Sequence, residues 1–142
     1  MLKVTLIAVG NKMEAWVNEA VAEYSKRLTK FCQFQLVALP LLKHDIISVI
    51  PANSKVIALD VLGKTFSSES LSLHLEKLQL THPHLCLIIG GPEGLEQKVL
   101  DIAHEKWSLS ALTLPHTLAR VVLVETLYRA FTIIHHHPYH KA

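Results

Sequence analysis

Cysteine is scarce in this 142-residue chain. There are only two, Cys32 and Cys86, each in apolar surroundings and far apart in sequence. That argues against a disulfide framework and against a zinc site built on a close cysteine pair, and it predicts two reduced core thiols. A strong charge of either sign is also missing. Fourteen basic and twelve acidic residues leave a formal net charge of +2, short of the positive field of a protein that grips duplex by charge alone. Charge therefore permits a nucleic-acid partner without arguing for one. Ten histidines add little positive potential near pH 7. Uninterrupted apolar runs of membrane-spanning length are absent too: Glu125 and Arg129 break the late run that follows Val121. The opening residues lack the basic lead, apolar core and cleavage site of a secretory signal, so the expected location is cytoplasmic. What is present is core material. Half the residues are hydrophobic and 18% are charged, which predicts one compact domain over residues 1–142.

Periodicity predicts alternating strands and helices. Leu2 to Val9 reads as a strand, closed by Gly10-Asn11. Trp16, Val17, Ala20, Val21, Tyr24 and Leu28 recur at helical spacing within a helix from about Lys12 to Lys30. Phe34 to Leu39 is a second strand stopped by Pro40, and Leu41 to Pro51 has room for one or two helical turns. Lys55 to Asp60 is a third strand, short and apolar enough to be buried on both faces, and Gly63-Lys64 is expected to turn the chain. Ser67 or Ser68 can cap a helix to about Leu80, with Glu69 suited to its first turn. His84 to Ile89 is a fourth strand. A helix from about Leu95 to Lys106, an extended piece near Trp107 to Leu114, and a long helix opened by Pro115 and running to about Ile134 complete the order. Strands separated by helices imply an α/β fold, a mainly parallel sheet with helices on both faces. Ligands of such sheets collect beyond the carboxyl ends of strands. The loops after Leu59, after Ile89 and around Ser108 to Leu114 are therefore the expected binding loops.

Four stretches carry possible chemistry. Gly90-Gly91-Pro92-Glu93-Gly94 follows a buried strand and lets backbone approach a ligand, or simply makes a tight turn. It lacks the lysine and spacing of a phosphate loop and is not a dinucleotide fingerprint. Ser108 to His116 alternates small and apolar residues, which suits a flat apolar ring as well as it suits a buried edge strand entering a helix. On the last helix, Glu125 and Arg129 are spaced for an ion pair, which leaves Arg120 without an evident partner. Finally, His135-His136-His137-Pro138-Tyr139-His140-Lys141 offers groups able to contact RNA, while a metal site there lacks any acidic or cysteine ligand nearby.

Taken together, "IGGPEGL", "WSLSALTLPH", "RVVLVETLYRA" and the terminal "HPYHK" resemble the RlmH family. The opening "LIAVGNKMEAWVNEAVAEYSKR" and "VIALDVLGKTFSSESLS" match that family in the same order. These are SPOUT-superfamily enzymes that methylate N3 of a pseudouridine in large-subunit (23S) ribosomal RNA. The resemblance covers nearly the whole chain. It implies an α/β fold with a C-terminal trefoil knot, S-adenosyl-L-methionine as methyl donor, and a homodimer with each cofactor pocket near the partner subunit. It places the cofactor on Leu59, Gly90, Leu109, Ser110, Ala111, Leu112, Thr113 and Leu114. Tyr139, His140 and Lys141 match the family's terminal signature, with Tyr139, Lys141 and Arg129 expected to contact RNA.

For the chemistry, His140 is the expected aid to loss of the N3 proton, with Tyr139 beside it. Arg120 or Lys141 is expected to stabilise the resulting anionic ring. No metal and no membrane partner is expected. Two departures from the family stand out. The segment Pro40 to Ser54 is contracted, and Lys141 replaces a more common arginine, which keeps charge but loses bidentate phosphate gripping. A non-catalytic ribosome-binding protein of the same fold is the competing class.

Overall fold

A computed structural model describes residues 1–141. The elements follow as β1 (Lys3–Val9), α1 (Ala15–Leu28), β2 (Gln33–Leu39), α2 (Ile46–Val49), β3 (Lys55–Thr65), α3 (Ser68–Thr81), β4 (His84–Ile89), α4 (Gln97–Ile102), β5 (Glu105–Ser108) and α5 (His116–Ile134), and a 3-10 turn, Pro138–His140, closes the order. The strands make one sheet in the order β2-β1-β4-β3-β5. Every neighbouring pair is parallel.

Alternation along the central strands supplies both faces with apolar side chains. Leu6 and Ala8 of β1 and Leu85 and Leu87 of β4 join a core with Val17 and Val21 of α1, Leu71 and Leu75 of α3, and Leu123 and Leu127 of α5. The intervening residues Ile7, Val9, Cys86 and Ile88 pack on the opposite face with Ile46 of α2 and Val99 of α4. Leu6, Leu75, Leu87 and Leu127 are at most 1% exposed, and each such leucine contributes roughly 2 kcal/mol on burial. Cys32 and Cys86 are free and buried. Burial pushes both thiols up to about 12, so they stay protonated and act as small apolar side chains.

Ser67 is the cap of α3. Its side chain accepts from the Ser70 amide, and Ser70 Oγ accepts from the Ser67 amide, a reciprocal capping box. Pro115 precedes the first residue of α5, and its carbonyl accepts from the Ala119 amide at 2.8 Å. Because Pro115 carries no amide proton, its position leaves no donor unsatisfied.

Three expectations fail in the last two-thirds of the chain. Gly63-Lys64 does not turn the chain but lies within β3, which continues to Thr65. After a register shift between Leu59 and Lys64, the strand returns to pair Lys64 with Trp107 and Thr65 with Ser108. Gly63 makes that return possible, since a Cβ there would lie 2.7 Å from the backbone of Lys106 and Trp107. The fourth helix is shorter than the expected Leu95 to Lys106, because His104 is drawn into strand contacts. Its amide donates to the Val56 carbonyl, and its Nδ1 accepts from the Val56 amide, both at 2.8 Å. Sheet pairing outweighs local helix propensity there. The extended piece expected over Trp107 to Leu114 instead pairs only over Glu105–Ser108. Beyond it Ser110 Oγ accepts from the Leu112 amide at 2.9 Å, and this local side-chain bond bends the chain out of the sheet.

Candidate active site

Three connections at the carboxyl ends of the strands converge on one cleft of about 240 Å³. The first kink of β3 brings Leu59 and Asp60, and the glycine turn after β4 brings Gly90, Gly91 and Gly94. The β5–α5 connection brings Leu109, Ser110, Leu112, Thr113 and Leu114, while His116 and Ala119 enter from the start of α5. Seven of the eight residues that the family resemblance places on the cofactor thus share one wall system. Ala111 is exposed and stands outside it.

The glycine turn is folded on itself. The Gly94 amide donates to the Gly91 carbonyl at 3.0 Å, and the two residues form an isolated antiparallel bridge. A Cβ on Gly90 would lie 2.5 Å from the Gly94 carbonyl carbon, and Gly94 itself sits at φ +75°. The absence of side chains is therefore required by the turn's own geometry, and it leaves a wall made of bare backbone. On the far side, the Ser108 hydroxyl donates to the Ser110 carbonyl at 3.0 Å. With the Ser110 hydroxyl bonded to Leu112, the apolar loop is braced from within.

Behind this loop, Trp107 forms part of the cleft and is held through its ring nitrogen. It donates to Glu105 Oε1 at 2.9 Å, and the same oxygen lies 2.7 Å from His74 Nε2. Burial works to raise the Glu105 carboxyl, but these two hydrogen bonds, with His74 and Lys55 nearby, hold it below the ordinary range. Asp60 was not singled out by the sequence, while Trp107 and His116 stood within the quoted motif without a role of their own. Asp60 had a usable signal: it closes the apolar run Val56 to Leu59 at a strand's carboxyl end.

Arg120 is 4% exposed. Its Nη2 donates to the carbonyls of Val9 at 3.0 Å and Gly10 at 2.9 Å. It ties the start of α5 to the end of β1, is not among the residues lining the cleft, and is lowered from the usual arginine range by burial.

The C-terminal signature is docked rather than frayed. The Tyr139 hydroxyl donates to Glu125 Oε2 at 2.9 Å and lies 3.1 Å from the Tyr24 hydroxyl. The Tyr139 ring meets Tyr128 edge-on at 4.7 Å, and the Arg129 guanidinium lies 5.0 Å from its centroid. Arg129 in turn pairs with Glu125 at 3.1 Å, as the four-residue spacing anticipates. Burial first, then the bonds to Tyr24 and Glu125, push the Tyr139 hydroxyl well above its ordinary range. His140 Nδ1 is buried without a hydrogen-bond partner, and Lys141 is exposed. None of the three lines the cleft of its own chain: the cleft draws on the start of α5, and the tail packs back along its second half. Among the described residues no group of histidine, cysteine, aspartate and glutamate is arranged to hold a metal ion. No described helix is long and apolar enough to cross a membrane.

The segment after β2 lies against the glycine turn. Leu41 Cδ1 is 2.9 Å from where a Cβ on Gly91 would be. The His44 ring is 3.1 Å from the Pro40 carbonyl and 3.2 Å from that of Leu41.

An all-parallel α/β sheet gathers its ligands beyond the carboxyl ends of its strands, where this cleft lies. A family model described as "Predicted SPOUT methyltransferase" matches residues 2–140, and the chain belongs to that methyltransferase family. Among curated relatives, proteins named "Ribosomal RNA large subunit methyltransferase H" are similar over their whole length. The one from Legionella pneumophila (strain Paris) is 51% identical, over 99% of this chain and 100% of its own. That from Saccharophagus degradans is 48% identical over the same shares. The Legionella alignment spans 156 positions against 142 residues here. Among solved structures, a probable methylase family protein from Haemophilus influenzae Rd KW20 superposes with a TM-score of 0.61 at 15% identity, covering 97% of this chain and 69% of that one. A probable methyltransferase from Bordetella pertussis Tohama I gives 0.59 at 14% identity, covering 92% and 96%. These two show the same fold.

Proposed function

We propose that the protein is a cytoplasmic, S-adenosylmethionine-dependent methyltransferase of large-subunit ribosomal RNA, acting on N3 of a pseudouridine, with the assembled ribosome as its substrate. The convergence of the Leu59, Gly90 and Leu109 to Leu114 connections on one cleft carries this reading. The donor set suits adenosylmethionine. Bare backbone at Gly90 to Gly94 offers amides and carbonyls to a nucleoside, and Leu109, Leu112 and Leu114 shelter a flat base. Asp60 supplies a lone carboxylate against a cationic ligand. Bound there, adenosylmethionine supplies an electrophilic methyl group.

The chain's own part is to position and to move one proton. A ring imide must lose its N3 proton for the nitrogen to act as nucleophile, and the half-buried imidazole of His140 on the docked tail is the group suited to receive it. Tyr139, held protonated, fixes the tail that carries His140. Lys141 supplies a positive charge for the ring anion that remains, and Arg120 supports that end of the site by anchoring α5 to β1. Most of the acceleration then comes from orientation.

A homodimer reconciles cleft and tail. They occupy different ends of α5 in one chain, so a second copy would bring its tail to the first copy's cleft. Trp16 on α1 is 47% exposed and Leu118 on α5 is 37% exposed, giving the two helices apolar surface for such a contact. The family's trefoil knot fits the path of the connection, which leaves the edge strand β5 and reaches α5 where Arg120 grips the end of β1.

Calorimetry with adenosylmethionine and with its demethylated product, followed by tritiated-methyl transfer to ribosomes and to free ribosomal RNA, tests the whole reading. Micromolar binding and transfer to ribosomes are expected. No detectable binding would instead favour a non-catalytic ribosome-binding protein. His140→Ala should bind adenosylmethionine normally and lose single-turnover methylation; unchanged turnover removes His140 from the chemistry.

A further inference from the structure

The net charge of +2 conceals an uneven distribution. From Tyr24 to His44 there is no acidic residue, and Lys26, Arg27, Lys30 and Lys43 fall there. From Thr126 to the C-terminus there is again none, and Arg129, Lys141 and four histidines fall there. The fold joins the two stretches. Phe31, just past the end of α1, stacks on Phe131 of α5 at 6.1 Å and on His135 at 4.8 Å, the latter pair inclined by only 19°.

His135 is exposed although one ring face lies on Phe31, so the other face is turned to solvent. Lys26 and Lys30, close to Phe31 along the chain, and His136, next to His135, are all exposed. Arg27 is committed elsewhere: it pairs with Glu23 at 2.8 Å and lies 5.0 Å from the Tyr24 ring. Arg129 is committed to Glu125. The two lysines at α1's end have no salt-bridge partner among the described residues.

An exposed imidazole stacked on a phenyl ring, with unpaired lysines on the chain that leads into that phenyl, suits an unstacked base with its flanking phosphates. We infer that the Phe31–His135 stack and the lysines Lys26 and Lys30 form a second RNA contact, on which one unpaired nucleotide stacks while its neighbours' phosphates meet the lysines. This rests on the ribosomal RNA reading above and extends it from the terminal signature to a surface shared by α1 and the residues after α5. Sequence discrimination there should be weak, because stacking and phosphate contact carry little base information.

The test uses the full chain, a fluorescent single-stranded RNA oligonucleotide of mixed sequence, and large ribosomal subunits. His135→Ala should weaken oligonucleotide binding about tenfold, and His135→Trp should restore it. Lys26→Ala with Lys30→Ala should flatten the dependence of log affinity on log salt by about 0.7 for each phosphate that the lysines no longer neutralise. Adenosylmethionine binding and thermal unfolding should be unchanged in every variant. Lys26→Glu with Lys30→Glu provides a second probe on two solvent-exposed positions and should reduce binding further. RNA binding that is the same in all variants overturns the inference alone. Loss confined to ribosomal subunits, with oligonucleotide binding intact, also overturns it and marks a protein contact. Wild-type protein that binds adenosylmethionine but no RNA overturns both readings together.

Discussion

The hydroxyl of Tyr139 donates to the carboxylate of Glu125 at 2.9 Å. One hydrogen bond thereby fastens the terminal signature to the helix whose beginning lines the cleft. Burial and this bond hold Tyr139 protonated beyond the ordinary tyrosine range. The folded state's hydroxyl loses its proton later than the unfolded state's, so the stability it contributes is complete below about pH 10 and is lost as pH rises further. Ultraviolet titration should show one of the three tyrosines ionising late, and Tyr139→Phe should remove that phase. The same variant should cost about 1 kcal/mol in urea unfolding.

Gly90 and Gly94 should fail for different reasons. Alanine at 90 meets the Gly94 backbone at 2.5 Å, which must move, at roughly 1–3 kcal/mol. Alanine at 94 has open space but is held at φ +75°, at roughly 1–2 kcal/mol. Gly90→Ala should weaken adenosylmethionine binding by about tenfold or more, because the wall itself is displaced. Gly94→Ala should weaken it less. Equal losses in calorimetry would contradict this account of the turn.

Arg120 is a test of anchoring against chemistry. Arg120→Ala leaves the Val9 and Gly10 carbonyls without their donor, and should destabilise by roughly 2–4 kcal/mol. Urea unfolding measures that loss. A variant of undiminished stability with lost single-turnover methylation would move Arg120 into the reaction.

Acid should destabilise the fold in two stages. His84 is lowered by burial and by Lys3, and it lies 2.8 Å from the Thr5 hydroxyl. The unfolded state therefore takes up its proton first, so stability is complete above about pH 6.5 and falls as pH drops below it. Glu105 is also lowered, so its contribution is present above about pH 4.5 and lost on further acidification. His84→Gln should flatten the first stage and Glu105→Gln the second, read as unfolding midpoints across pH. Because Glu105 carries Trp107, its variant should also weaken cofactor binding.

Local patterns announced most of this architecture. The unbroken apolar run Leu85 to Ile89 and helical spacing from Val17 to Leu28 are short-range signals, and both elements form where they point. The cap of α3 was expected at Ser67 or Ser68, and Ser67 takes it. The errors cluster where distant segments decide the outcome. Nothing near Gly63 says that β3 will kink and rejoin Trp107, and nothing near His104 says that its ring will meet Val56. The cleft was legible as three loops because parallel sheets gather ligands at strand ends, yet the part that Asp60 and His116 take in its wall emerged only in three dimensions. The docking of Tyr139 against Tyr24 spans more than a hundred residues, beyond the reach of any local pattern.

The position of β5 at the sheet's edge bears on synthesis of the chain. The cleft needs Leu59 and Gly90, but it also needs the connection that follows β5 and the first turn of α5. A nascent polypeptide halted before Glu105 would hold the other four strands and no closed pocket. Methyl-donor affinity is therefore a late reporter of maturation: it should emerge only as the final quarter of the chain settles, well after the central strands have paired.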